Sequence, residues 1–138
     1  MKALCKNLFL FITGGILYYL IEIIWRGHSH FSMFLVGGLC FVLIGEINEY
    51  ISWETPVYVQ SILGSIIITT IEFISGCILN IWHGLDVWDY SNIPFNLLGQ
   101  ICLPFSILWV FVSFAAILLD DYIRYYFFGE EKPRYKWR

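Results

Sequence analysis

Charge is scarce in this chain. Only 14% of its 138 residues are Asp, Glu, Lys or Arg, against 59% hydrophobic and 20% aromatic, and the mean hydropathy is +0.70. Too little polar surface is left to solvate a soluble globule of this length, so the bilayer is the expected solvent. A net charge of −3, with no basic surface outside a short C-terminal stretch, argues against nucleic acid as a partner. The four cysteines, Cys5, Cys40, Cys77 and Cys102, lack CxxC or paired spacing. They read as small apolar packing residues, with a disulfide between Cys77 and Cys102 as the minor alternative. No Ser/His/Asp order or nucleophile elbow supports a hydrolase. Lys2 and Lys6 precede an apolar stretch as in a secretory signal, but no small-residue cleavage site follows; Glu22, Trp25 and Arg26 do, which predicts a retained helix. Nor is there an evident internal repeat or low-complexity linker, so one domain is the simplest account.

What remains is four apolar runs, at about 8–25, 31–51, 57–82 and 97–119. At about 1.5 Å per residue they span roughly 27 to 39 Å, against a hydrocarbon core of about 30 Å. The expected fold is all-α: an integral membrane bundle of four transmembrane helices over residues 1–128, with an interfacial or re-entrant outer loop between the third and fourth, then a basic tail at 129–138. Lys2, Lys6, Arg124, Lys132, Arg134, Lys136 and Arg138 flank the two ends of the chain, whereas the loops hold only Arg26. That bias places both termini in the cytoplasm and the protein in the plasma membrane. The tail, which mixes Glu130 and Glu131 with its cations, reads as a topology anchor beside anionic lipid.

Turn chemistry supports these boundaries. In the hairpin from Ser52 to Pro56, Thr55 is expected to cap a helix that Pro56 opens. In the connection at 83–96, Trp82, Trp88 and Tyr90 suit the headgroup layer. Along the fourth run Gly99, Cys102, Ser106, Trp109, Ser113, Ala116 and Asp120 recur at steps of three and four, a mostly small seam for close helix packing, and the pairs Gly14-Gly15 and Gly37-Gly38 offer similar contacts. Pro104 is expected to kink the outer end of the fourth helix.

Ionisable residues inside the runs are the best functional candidates, because a central charge costs about 2.5–3.5 kcal/mol on insertion scales. Glu72 is the sharpest case. Ser61, Ser65, Thr69, Glu72, Gly76 and Asn80 follow one another at helical spacing, forming a polar stripe that must face protein or water. Glu72 then serves either as a hydrogen-bonding carboxyl between helices or as a relay for protons or cations. A second group gathers at the outer face: Glu22 and Arg26, four apart and able to pair, then His28, Ser29 and His30, and from the far side Asn80, His83, Asp86, Asp89, Tyr90, Asn96 and Gln100. Its alternatives are a structural network, a site for a charged headgroup or solute, and, weakly, a metal site at His28, His30 and His83, since no ligand spacing here matches an established zinc pattern. Glu46, Asn48 and Glu49 form a third group near the inner interface, where Glu49 can meet a basic residue of the tail.

These residues carry a family likeness. Tyr-x-x-Ile-Glu at Tyr18 to Glu22, Arg26-Gly27, Gly37-Gly38, the stripe from Glu72 to Asn80, and Trp88-Asp89-Tyr90-Ser91 leading to Asn96-x-x-Gly99-Gln100 resemble a bacterial family of small multi-pass membrane proteins. These are described as ABC-transporter permeases (CmpB-like, type IV), with uncharacterised animal transmembrane relatives. After Arg26-Gly27 the chain continues His28-Ser29-His30-Phe31, where many members carry Gly-Pro and Pro-Ile-Tyr-Gly. The resemblance implies a transporter or permease subunit of the bacterial inner membrane; in that reading the stripe and the outer group, Glu22, Arg26, Glu72, Asn80, Asp89, Tyr90, Asn96 and Gln100, line a polar intramembrane path. No cofactor is expected. Because no G-x-x-x-x-G-K-[ST] loop occurs, any ATPase would be a separate chain, and the Ser52 to Pro56 hairpin and the tail would be its contact surfaces. Membrane lipid is the other partner, and a homo-oligomer would supply walls that four helices lack. The competing readings are a membrane-embedded enzyme acting on lipid through a histidine or carboxylate, and a non-catalytic scaffold.

Overall fold

The computed structural model describes residues 2–52 and 54–137; Met1, Trp53 and Arg138, together with the side chain of Asn48, lie outside the described residues. Within them the chain forms α1 (Lys2–Arg26), α2 (Phe31–Gly45), a short α3 (Ile47–Tyr50), α4 (Val57–Gly76) continued by a π-helical turn (Cys77–Trp82), a two-stranded hairpin of β1 (Asn96–Leu97) and β2 (Ile101–Cys102), and α5 (Leu103–Phe128). Three of these helices, α1, α4 with its π turn, and α5, are long and apolar enough to cross a membrane, and α2 is a shorter apolar helix. Its 15 residues rise only about 22 Å. The protein is an all-α membrane bundle. Lys6 reaches Glu130 at 2.7 Å, so both ends of the chain meet at one end of the bundle, called the terminal end below; the opposite end is closed by the long connection between α4 and α5.

The bundle is built from two pairs, α1 on α2 and α4 on α5, with α2 bridging to the second pair. The first pair has a local cause that reading the sequence for long repeats misses. Phe11-Ile-Thr-Gly-Gly-Ile-Leu-Tyr18 and Phe34-Leu-Val-Gly-Gly-Leu-Cys-Phe41 share one pattern, aromatic-x-x-Gly-Gly-x-x-aromatic. Set antiparallel, each glycine receives an aromatic residue of the other helix: a Cβ on Gly14 would lie 2.3 Å from Phe41 Cβ, on Gly37 2.5 Å from Tyr18 Cβ, on Gly15 2.7 Å from the Phe34 carbonyl oxygen and on Gly38 2.6 Å from that of Phe11. Backbones come this close in lipid only where side chains are absent. The second pair uses the same device once, since a Cβ on Gly64 would sit 2.6 Å from Ser113 Cβ.

Several expected boundaries move. The fourth helix begins at Leu103 rather than at 97 and runs to Phe128. Gly99 has a φ of +72° and turns the hairpin, with Phe95 and Leu98 also left-handed. Gly99 and Cys102 therefore precede the helical seam, which starts at Ser106; from there Trp109, Ser113 and Asp120 are buried as expected. Pro104 lies in the first turn of α5, where a missing amide breaks no helical bond, so it opens that helix instead of kinking it. The second helix stops at Gly45 and resumes as α3 after Glu46.

Thr55 does not cap α4. Pro56 occupies the cap position with no side-chain bond, and the first free amide, that of Val57, donates to the Lys136 carbonyl at 2.7 Å. The C-terminal segment has folded back to do this. The Tyr135 hydroxyl donates to Asp121 at 2.8 Å, the Trp137 ring lies 6.0 Å from that of Phe114, and Pro133 is buried. Burial, followed by the Asp121 charge, holds the Tyr135 phenol well above its usual range, so it remains a donor. All four cysteines are free thiols, so Cys77 and Cys102 are not joined.

Candidate functional site

Helical periodicity turns the polar stripe of α4 inward. Ser61, Ser65 and Glu72 are buried, and Glu72 is 7% exposed. The Ser61 hydroxyl donates to the Val57 carbonyl of its own helix at 2.9 Å, and the other partners come from α5 and the long connection: the Ser65 hydroxyl donates to the Ser106 carbonyl at 2.6 Å, Thr69 and Ser106 share a hydroxyl bond of 2.9 Å, and Gly76 leaves room for Gln100, whose Oε1 would lie 2.5 Å from a Cβ there. Each buried polar atom that finds a partner here avoids the cost of standing unpaired in an apolar medium.

Glu72 receives two donors. The Tyr90 hydroxyl reaches one carboxyl oxygen at 2.9 Å, and the Trp109 indole N–H reaches the other at 3.2 Å. Tyr90 stacks on Phe105 with ring centroids 4.8 Å apart, which fixes the direction of its hydroxyl. Burial and the Glu72 charge push the Tyr90 phenol well above its usual range, so it is a permanent donor. Among the described residues no lysine, arginine or histidine forms an ion pair with Glu72.

One side of Glu72 borders a cavity of about 190 Å³ enclosed by both helix pairs and by Trp88, with Gly14, Tyr18, Phe41, Ile68 and Trp109 among its walls. Its surface is almost entirely apolar. Leu17 and Ile21 of α1, and Ala115 and Leu119 of α5, line it too, although Ile21 is 56% and Leu119 40% exposed. The cavity therefore opens sideways between α1 and α5, on the face an acyl chain would cover.

The connection closes the far end of the bundle. Trp88 and Tyr90, expected at headgroup level, point inward instead: Trp88 is buried against Met33 and Val87, and its indole N–H donates to the Gln100 carbonyl at 2.9 Å. Buried acceptors are available to both rings, which outweighs the headgroup preference. Trp82 alone stays outside, 78% exposed. Asn80 bridges the π turn to this lid, donating to Gln100 Oε1 at 2.8 Å and accepting from the Val87 amide at 2.7 Å. Glu22 and Arg26 form the expected pair, and Arg26 also donates to the Val87 carbonyl at 2.9 Å, tying α1 to the same loop.

The other expected residues shape the loop. Asp89 accepts from the Ser91 amide at 2.9 Å, and the Ser91 side chain and backbone together hold its carboxyl below the usual carboxylate range. Asn96 donates to the Ile93 carbonyl at 2.9 Å and accepts from the Gly99 amide at 3.0 Å. Neither touches Glu72. His28 and His83 are exposed, with His83 stacked on Trp82, and His30 caps α2 by accepting from the Ser32 amide at 3.1 Å. Among the described residues no three His, Cys, Asp or Glu side chains gather as a ligand set.

Gln100 is the joint of this lid: it is buried, its amide nitrogen donates to the Leu98 carbonyl at 3.0 Å, and its oxygen serves Asn80. Gln100→Ala should destabilise the protein by about 1–3 kcal/mol, the usual cost of a buried donor left unpaired. Hydrogen exchange would show it as faster exchange at 87–102, and unchanged protection there would contradict it.

The terminal end holds a second polar group whose geometry charge counting does not reveal. Arg124 is buried and donates to Asp120 Oδ2 at 2.9 Å and to Glu49 Oε1 at 3.2 Å, with Glu46 at 3.6 Å and Glu130 at 3.9 Å. In the sequence Arg124 reads as one of the flanking basic residues, and the i,i+4 spacing of Asp120 and Arg124 is the signal that points to their pairing.

A family model matches residues 9–133 of the chain, that of the family described as Putative ABC-transporter type IV (ABC_trans_CmpB). The chain belongs to this family. No curated protein and no solved structure matches it. The ABC-transporter family name and the long apolar helices agree on a multi-helix membrane protein, and the matched range takes in α1, the Glu72 site, its lid and the Arg124 network.

Proposed function

We propose that this protein is a membrane-embedded transporter subunit in which Glu72 is the group that meets the transported species. The observation that carries this reading is the placement of one carboxyl, buried within the bundle, oriented by Tyr90 and Trp109 and bordering a cavity that opens to the bilayer. Asn80, Gln100, Tyr90, Glu22 and Arg26 hold the lid over that cavity, and Asp89 and Asn96 keep the lid's fold. The polar stripe supports a path along the interface of α4 and α5, where hydroxyls can exchange partners in sequence. The terminal end lies in the cytoplasm, and the surface formed there by 46–56 and 129–137 contacts a separate ATPase subunit. The match to an ABC-transporter family supports that partnership.

The test is flux in proteoliposomes prepared with and without co-purifying subunits. Glu72→Gln keeps the shape, with the amide oxygen accepting from Trp109 and the amide NH2 donating to a turned Tyr90 hydroxyl, but it removes the ionisable group, and it is expected to reduce flux by at least about a hundredfold, in line with loss of a buried charge that contacts cargo in the barrier state. Wild-type flux in Glu72→Gln of normal stability would eliminate this role for the carboxyl.

A further inference from the structure

We propose that the cavity beside Glu72 is a binding site for a lipophilic amine, an apolar body ending in an ammonium group, which enters from the bilayer between α1 and α5. This deepens the reading of Glu72 as the group that meets the transported species. Three features of the site select that chemistry. Its walls are mostly apolar residues of α1, α2, α4 and α5 and Trp88, which favours a hydrocarbon or aryl body over a hydrated solute. Its one charged lining residue is Glu72. The two groups already bound to that carboxyl, Tyr90 and Trp109, are neutral donors, so its carboxylate form has no cation among the described residues, and an ammonium entering the cavity would supply one and stabilise that form.

The same features exclude close alternatives. A carboxylate or phosphate ligand would place a second negative group against Glu72 with no lysine or arginine lining the cavity. A whole phospholipid is too large for about 190 Å³, since an apolar cavity of about 150 Å³ is matched to benzene. The ammonium and the first part of its chain fill the cavity, and the remainder leaves through the gap bordered by Leu17, Ile21, Ala115 and Leu119, three of which are large apolar residues exposed to the acyl layer. Entry needs no aqueous opening through the lid, which its internal hydrogen bonds keep shut.

The experiment uses the full chain in phosphatidylcholine nanodiscs and an alkylamine carrying a diazirine as photoaffinity probe. Labelled sites are mapped by mass spectrometry, with hexylamine, hexanol and hexanoate as competitors. The expected result is labelling at Leu17, Ile21 or Ala115, suppressed by hexylamine at a concentration at least about tenfold lower than hexanol, as one charge-assisted hydrogen bond would give; hexanoate does not compete. In Glu72→Gln hexylamine and hexanol become equivalent competitors, and in Ala115→Phe, which fills the cavity, labelling at Leu17 and Ile21 disappears. Equal competition by hexanol and hexylamine on the wild-type chain, or labelling spread evenly over the lipid-facing residues, overturns the proposal even if a variant fails to fold. Because binding is read without flux, a protein that binds the amine but moves nothing refutes transport alone, and one that transports without amine preference refutes this site alone.

Discussion

Arg124→Met is expected to destabilise the bundle by about 3–5 kcal/mol, the range seen when one partner of a buried ion pair is removed. Arg124 is 3% exposed and Asp120 0%. The guanidinium Nε holds Asp120 Oδ2 at 2.9 Å, while Asp120 Oδ1 has no hydrogen-bond partner among the described residues and fills the space where a Gly45 side chain would stand, 2.3 Å from the site of its Cβ. Taking the arginine away leaves Asp120 buried without its cation, and removes the partner that Glu46 and Glu49 share. The double variant Asp120→Leu/Arg124→Met should recover most of the loss, because removing both charges also removes their desolvation cost. By contrast Lys6→Ala, which breaks the half-exposed pair with Glu130, should cost no more than about 1 kcal/mol. Thermal unfolding in one detergent ranks the three. If Arg124→Met melted with the wild type, water would have to reach Asp120, and the terminal end would be looser than these contacts describe.

The contrast between Arg124 and Glu72 shows what the sequence can and cannot say here. Lipid leaves few places for a polar group, so the six-residue stripe of α4 had only the bundle interior to face, and its direction was legible from spacing alone. Arg124 sits near a chain end, where a cation has a sufficient explanation in topology, and depth within the bundle is set by α2 and α3, far away in sequence. The start of α5 was illegible for a related reason. Residues 97–102 include Leu97, Leu98, Ile101 and Cys102, and a short apolar stretch looks alike in a helix and in a hairpin. What distinguishes them is a run of left-handed residues, Phe95, Leu98 and Gly99, two of which carry side chains that seldom announce such a conformation. The inward turn of Trp88 and Tyr90 depended on acceptors at Gln100 and Glu72 that only the closed lid brings within reach.

The shared octapeptide of α1 and α2 was in plain view, yet its meaning needs two helices. Gly38→Val is expected to cost about 1–3 kcal/mol by overpacking, at the upper end because the new Cβ meets the Phe11 carbonyl oxygen at 2.6 Å, and backbone cannot rotate away as a side chain tip can. Gly15→Val presses on the Phe34 carbonyl at 2.7 Å and should cost about the same, since the two sites exchange places under the approximate two-fold relation of the pair. The double variant should then fall short of the sum, because both substitutions demand one and the same separation of α1 from α2. Gly27→Ala is the control: nothing lies within 4 Å of its Cβ site, and only its φ of +80° resists the change. Thermal unfolding with hydrogen exchange along α1 reads all four. Strict additivity of Gly15→Val and Gly38→Val would mean that the helices yield locally at each contact, and the rigid zipper would be the wrong description. Where they separate as a unit, Leu17 and Ile21 move with α1, so the same variants should also weaken amine labelling in the cavity that those residues border.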